Sequence, residues 1–128
     1  MKKTRTEEMD VRLAVPIETK KGLSSVVSEH FGTSPYFLIC DLKDGKVAKS
    51  RVVSNPGAKV DVRMGLEASK FLIEQGVNAI LVIAMGDGPY WMLKSNSIAM
   101  HKILQAPATK EEFESCLENY GGLPEITK

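Results

Sequence analysis

Cysteine is scarce in this sequence. Its 128 residues hold two, Cys40 and Cys116, far apart and outside any CxxC pair. That excludes the dense disulfide framework of a small secreted scaffold. An excess of one charge is also missing. Seventeen Lys and Arg face sixteen Asp and Glu, for a formal net charge of +1. So even a balance argues against a basic nucleic-acid footprint and against a membrane-attracting surface. No apolar run approaches the roughly 20 residues of a membrane-spanning helix. The opening KKTRTEEMD has charge but no apolar core of a signal peptide. A cytoplasmic location is the expectation. Residues 1–10 read as a disordered polar tail, and 11–128 as one domain. With 43% hydrophobic and 26% charged residues, a chain of this size can bury a core unaided.

The pattern along the chain is that of an α/β protein. Residues 12–17 (RLAVPI) form an apolar first strand that tolerates Pro16 only near its end. After a polar loop, residues 36–42 (YFLICDL) read as a second strand, Asp44-Gly45 as a hairpin turn, and 46–54 as the return strand, whose period-2 alternation is partly lost. Asn55-Pro56-Gly57 breaks the chain. Residues 61–75 show a narrow polar stripe (Arg63, Glu67, Lys70, Glu74) on an otherwise apolar helix, and Gly76 stops it. The nearly continuous apolar run 78–85 (NAILVIAM) reads as a strand buried on both faces. A short helix over 89–94, capped by Asp87 or Gly88, an edge strand over 97–103 and a helix opened by the capping box Thr109-x-x-Glu112 complete the set. Gly121 ends the last helix. The simplest arrangement is a five-stranded mixed sheet of order 3-2-1-4-5 with flanking helices, as in the ribonuclease-H-like architecture.

In such a sheet a ligand sits beyond the carboxyl ends of neighbouring strands whose connections leave in opposite directions. Here those are strands one and four. Strand one leads to Ser28-Glu29-His30-Phe31-Gly32, and strand four to Gly86-Asp87-Gly88-Pro89. The second stretch sets glycines before a helix N-terminus, where free N–H groups favour an anion. A plain strand-to-helix turn is its equal rival. His30 has two readings: a surface histidine, which composition alone favours, and a metal ligand or donor to an anion. His101, in an edge strand beside Lys102, reads more firmly as a surface histidine, and Cys40, Cys116 and the scattered methionines read first as packing. Catalysis is hard to build. No Ser-His-Asp or Cys-His motif is suggested, and strand one holds no carboxylate for the metal of a nuclease.

Over about residues 12–123 the chain resembles the dinitrogenase iron-molybdenum cofactor biosynthesis family. The segments that carry the resemblance are LAVPI, SEHFGTSPYFLICDL, Asn55-Pro56, EQGVNAILVIAMG, SIAMHK and NYGGL. The most specific part is Glu29-His30-Phe31-Gly32 followed by Pro35-Tyr36-Phe37. The resemblance implies a ribonuclease-H-like fold and a role in binding iron–sulfur or iron–molybdenum clusters or passing them between assembly proteins. It makes His30 the metal ligand. Gly86 matches the glycine that ends strand four, and with the anion-favouring turn read above the candidate cofactor-binding set is His30, Phe31, Gly32, Gly86, Asp87 and Gly88. Two departures stand out. Histidine often follows the family's Asn-Pro segment, where this chain has Gly57-Ala58-Lys59-Val60-Asp61, and Asp87-Gly88 lengthens the turn after strand four.

A cluster ligated entirely by protein wants about four thiolates. This chain has at most Cys40 to offer, so a cluster would be held loosely, as suits a carrier. The expectation is a non-enzymatic binding protein for an anionic metal cluster or its precursor, working with a cluster-assembly protein. The alternative is a metal-free interaction or regulatory module on the same fold.

Overall fold

The computed structural model describes residues 10–128. Five strands form one mixed sheet of order β3-β2-β1-β4-β5. They are β1 (Val11–Ile17), β2 (Tyr36–Lys43), β3 (Lys46–Ser54), β4 (Ala79–Val82) and β5 (Ala99–Lys102). β2 runs antiparallel to both β1 and β3, whereas β4 runs parallel to β1 and to β5. The two-residue turn Asp44-Gly45 has φ of 53° and 77°, the paired left-handed geometry that matches strand twist. The lost alternation in β3 has a local cause. Asp41 pairs with Lys49 and Leu42 with Val47, so Ala48 is the extra residue of a bulge.

Alternating side chains send the two faces of β1 and β2 into separate cores. Ala14, Phe37, Ile39, Ile80 and Val82 pack under helices α1 (Met64–Glu74) and α2 (Asp87–Ser95), with Leu72 and Leu93 fully buried. Leu13, Val15, Leu38, Cys40 and Leu81 pack under α3 (Lys110–Glu118) through Phe113 and Leu117. The Thr109 hydroxyl caps α3 by accepting from the Glu112 N–H at 3.1 Å, and the Glu112 carboxylate accepts from the Ala108 N–H at 2.8 Å. Among the described residues no helix is long and apolar enough to cross a membrane.

Several boundaries differ from the sequence reading. Of the expected ten-residue tail, residues 1–9 lie outside the described residues, and Asp10 belongs to the hairpin: its N–H donates to Leu42 O and its carboxylate accepts from the Asp44 N–H. α1 begins at Met64, not at 61, because Arg63 is left-handed (φ 58°, ψ 35°) and cannot join a helix. Val62 is accordingly 70% exposed. α2 begins at Asp87 with Gly86 at its N-cap, so neither Asp87 nor Gly88 caps it. β4 is only four residues long. β5 matches it residue for residue from Ala79 to Val82, and then the chain bends away. β5 itself starts at Ala99, because Ser97 is left-handed (φ 61°). α3 stops at Glu118, and a 3₁₀ turn (Tyr120–Gly122) contains Gly121. β5 is not a bare edge either, since residues 124–126 pair with it.

Cys40 lies fully buried on the α3 side, and burial with neighbouring Asp41, Glu114 and Glu118 pushes its thiol up to about 12. An unfolded thiol ionises near 9. Between those values the unfolded chain sheds a proton that the folded chain keeps, so stability falls as pH rises through the window. Cys40→Val is expected to flatten this alkaline decline. Urea unfolding of both proteins from pH 8 to 11 checks it, and parallel slopes would contradict it.

Candidate functional site

At the carboxyl ends of β1 and β4 lies an open crevice of about 490 Å³. The loop after β1 supplies Glu29, His30, Phe31, Gly32 and Thr33. The segment after β4 supplies Ala84, Met85, Gly86 and Pro89, and the start of α1 adds Met64 and Gly65. The position follows from topology. β1 turns back into the hairpin on one side, β4 crosses to β5 on the other, and the two departures leave a gap between them. Of the residues singled out from the sequence, His30, Phe31, Gly32 and Gly86 meet here. Asp87 and Gly88 do not line the crevice: Asp87 points to Lys128, and Gly88 sits against Leu66.

Both helices that start at the crevice lack a side-chain cap. The first bond of α1 runs from the Glu67 N–H to Arg63 O at 3.0 Å, which leaves the N–H groups of residues 64–66 outside the helix ladder. The first bond of α2 runs from the Tyr90 N–H to Gly86 O at 3.1 Å, leaving those of Asp87 and Gly88; Pro89 has none. Two positive helix ends therefore converge on one opening. His30 is exposed, and its backbone is held on both sides by the Ser28 hydroxyl, which accepts from the His30 N–H at 3.3 Å and donates to His30 O at 3.2 Å. Phe31 is buried and packs on Phe37 at 5.5 Å between ring centroids.

Asn55 locks this arrangement and was missed as a site residue, because Asn-Pro read as a chain break and as part of the family resemblance, not as a partner of the His30 loop. Its side chain is fully buried. The amide donates to Ser34 O at 2.8 Å and Gly32 O at 3.1 Å, with Phe31 O at 3.4 Å, and its carbonyl accepts from the Gly57 N–H at 2.8 Å. Glycine is required where these segments touch. A Cβ on Gly57 would collide with Met64 O and Gly32 O, one on Gly32 would lie 2.7 Å from Gly65 N, and one on Gly65 would lie 2.8 Å from Pro89 Cγ. No side chain fits at position 57.

The donor set for metal is small. Among the described residues no three His, Cys, Asp or Glu side chains come together in a metal-binding group. Cys40 lies in the core on the opposite face of the sheet, so it has no access to the crevice. Cys116 is half-buried beside Gln105, Ala106 and Pro107, again away from it, and burial raises its pKa. The crevice thus offers one imidazole, the Glu29 carboxylate, the Thr33 hydroxyl, the thioether side chains of Met64 and Met85, and open backbone N–H groups. Four-thiolate ligation does not fit these residues. An anion that brings its own sulfur does.

The sequence profile of the family described as dinitrogenase iron-molybdenum cofactor matches residues 11–120. A protein of Methanocaldococcus jannaschii is 25% identical over 108 residues, covering 84% of this chain and 83% of that one. A solved Thermotoga structure, of a candidate NifB protein, is 26% identical with a TM-score of 0.73, covering 93% of this chain and 96% of that one. The apo form of the orange protein from Desulfovibrio gigas is 20% identical with a TM-score of 0.77, over 93% and 96% of the two chains. The last likeness shows the shared fold.

Asn55→Ala is expected to strand the buried Ser34 carbonyl and Gly57 N–H and lower unfolding free energy by about 2–6 kcal/mol, at about 1–3 kcal/mol each. Chemical denaturation reads it, and a loss under 0.5 kcal/mol would contradict the locking role. For Gly65→Ala, helix propensity alone would add about 1 kcal/mol of stability. Contact with Pro89 is expected to reverse the sign, for a net loss of about 1–2 kcal/mol. A more stable variant would contradict the close helix contact.

Proposed function

Because this chain belongs to the dinitrogenase iron-molybdenum cofactor family, we propose that it is a small non-enzymatic carrier whose cargo is an anionic iron–sulfur or iron–molybdenum cluster or its precursor. The observation that carries the reading is the crevice, with one histidine on one wall and two uncapped helix starts on the others. Neutral imidazole coordinates metal, and helix N–H groups favour the negative charge of sulfide-rich cargo. A site with one imidazole and no thiolate holds its cargo loosely, which suits handing it to a cluster-assembly protein. We read the sheet as ribonuclease-H-like in architecture, a reading its strand order supports. The absence of a carboxylate-lined first strand sets it apart from nucleases of that architecture.

Anaerobic reconstitution with iron and sulfide, with and without molybdate, tests the proposal. After desalting, the wild-type protein is expected to keep metal and visible absorption, and His30→Ala to lose most of both. Stability should change by no more than about 0.5 kcal/mol, as is usual for an exposed side chain. Retention by neither protein would leave the metal-free interaction module as the better reading, and equal retention by both would remove His30 from the site.

A further inference from the structure

Beyond the 3₁₀ turn that follows α3, the chain runs back along β5. The Lys102 N–H donates to Pro124 O at 2.8 Å, and the Ile126 N–H to Met100 O at 3.0 Å. Glu125 bridges His101, whose ring Nδ1 lies 2.9 Å from Leu123 O. Beyond this pairing, the Lys128 side chain meets the segment that follows β4. There its amine donates to Met85 O at 2.7 Å and lies 3.4 Å from a carboxylate oxygen of Asp87. Met85 and Gly86 form one wall of the crevice. Behind that wall is a second hollow of about 370 Å³, which shares Ala84 and Met85 with the crevice and is lined on its far side by Lys102, Glu125 and Lys128. The Lys128 side chain is 30% exposed and that of Asp87 81%, so the amine is the more fixed partner.

The charges around the crevice make this placement matter. Its lining includes the carboxylate of Glu29 and no lysine or arginine. Asp87 adds a second carboxylate at the first turn of α2, where the helix faces the opening. Both oppose an anion. We infer that Lys128 serves the crevice as a charge held at its wall: the Met85 carbonyl anchors the amine, which offsets the Asp87 carboxylate so that the wall accepts a metal–sulfur anion. This rests on the carrier reading above and adds to it a cation that the crevice lining lacks.

Tetrathiomolybdate, a simple metal–sulfur dianion with its own visible absorption, serves as the probe. Wild type, Lys128→Met, Lys128→Arg and Asp87→Asn are titrated with it at 0.05 M and 1 M salt. At low salt Lys128→Met is expected to bind about three- to tenfold more weakly, the range for one partly screened charge. Lys128→Arg should restore binding and Asp87→Asn should tighten it. At 1 M salt, where the Debye length is about 3 Å, the differences should vanish. Equal binding by wild type and Lys128→Met, or a gap that survives high salt, would overturn the inference and leave the carrier reading standing. Failure of the wild-type protein to bind the probe at all would count against both.

Discussion

The side chain of Asn55 is the constraint on which the rest of the site depends. It is fully buried, and its amide gathers the carbonyls of the loop that carries His30 while its carbonyl takes the Gly57 N–H. A buried amide with unmet partners is costly, so the loop and the 3₁₀ turn before α1 are fixed together or not at all. From that lock the other contacts follow in sequence. Gly57 presses on Met64, Gly32 on Gly65, and Gly65 on Pro89. The start of α1 is thereby brought against the start of α2, and the two positive helix ends share one opening.

The same sheet keeps its thiols out of that opening. Strand alternation puts Phe37 and Ile39 on the crevice side and Cys40 on the other, under α3. A protein built this way has no means of gripping a metal cluster with thiolates. On the proposed reading it orients its cargo with one imidazole and a field from backbone dipoles, both reversible. Exposure of the crevice and economy of ligands belong together in a carrier, because tight ligation would oppose release.

Much of the fold was legible in the sequence. The apolar runs and the Asp44-Gly45 turn led to the strand order, and the switch point between β1 and β4 led to the crevice. The failures have physical causes. Nothing in Val62-Arg63 announces that Arg63 is left-handed, so the helix reading ran three residues too far and hid the open N-terminus at Met64 and Gly65. Met85 extends an apolar run and so read as strand, although it lies on the crevice wall. Asn55 finds its acceptors more than twenty residues earlier in the chain, a distance that no local pattern reports. Pairing of residues 124–126 with β5 is likewise carried by backbone atoms, which leave no mark on side-chain periodicity.

On the proposed reading, the opening between His30 and Gly86 receives a metal–sulfur anion. Amide chemical shifts of the isotope-labelled protein, followed as tetrathiomolybdate is added, test it most directly. The account predicts saturable shifts confined to His30, Gly32, Gly65 and Gly86 with their immediate neighbours, and silence along β3 and α3. Shifts centred on the exposed lysines and arginine of β3, or spread over the surface without saturation, would contradict it.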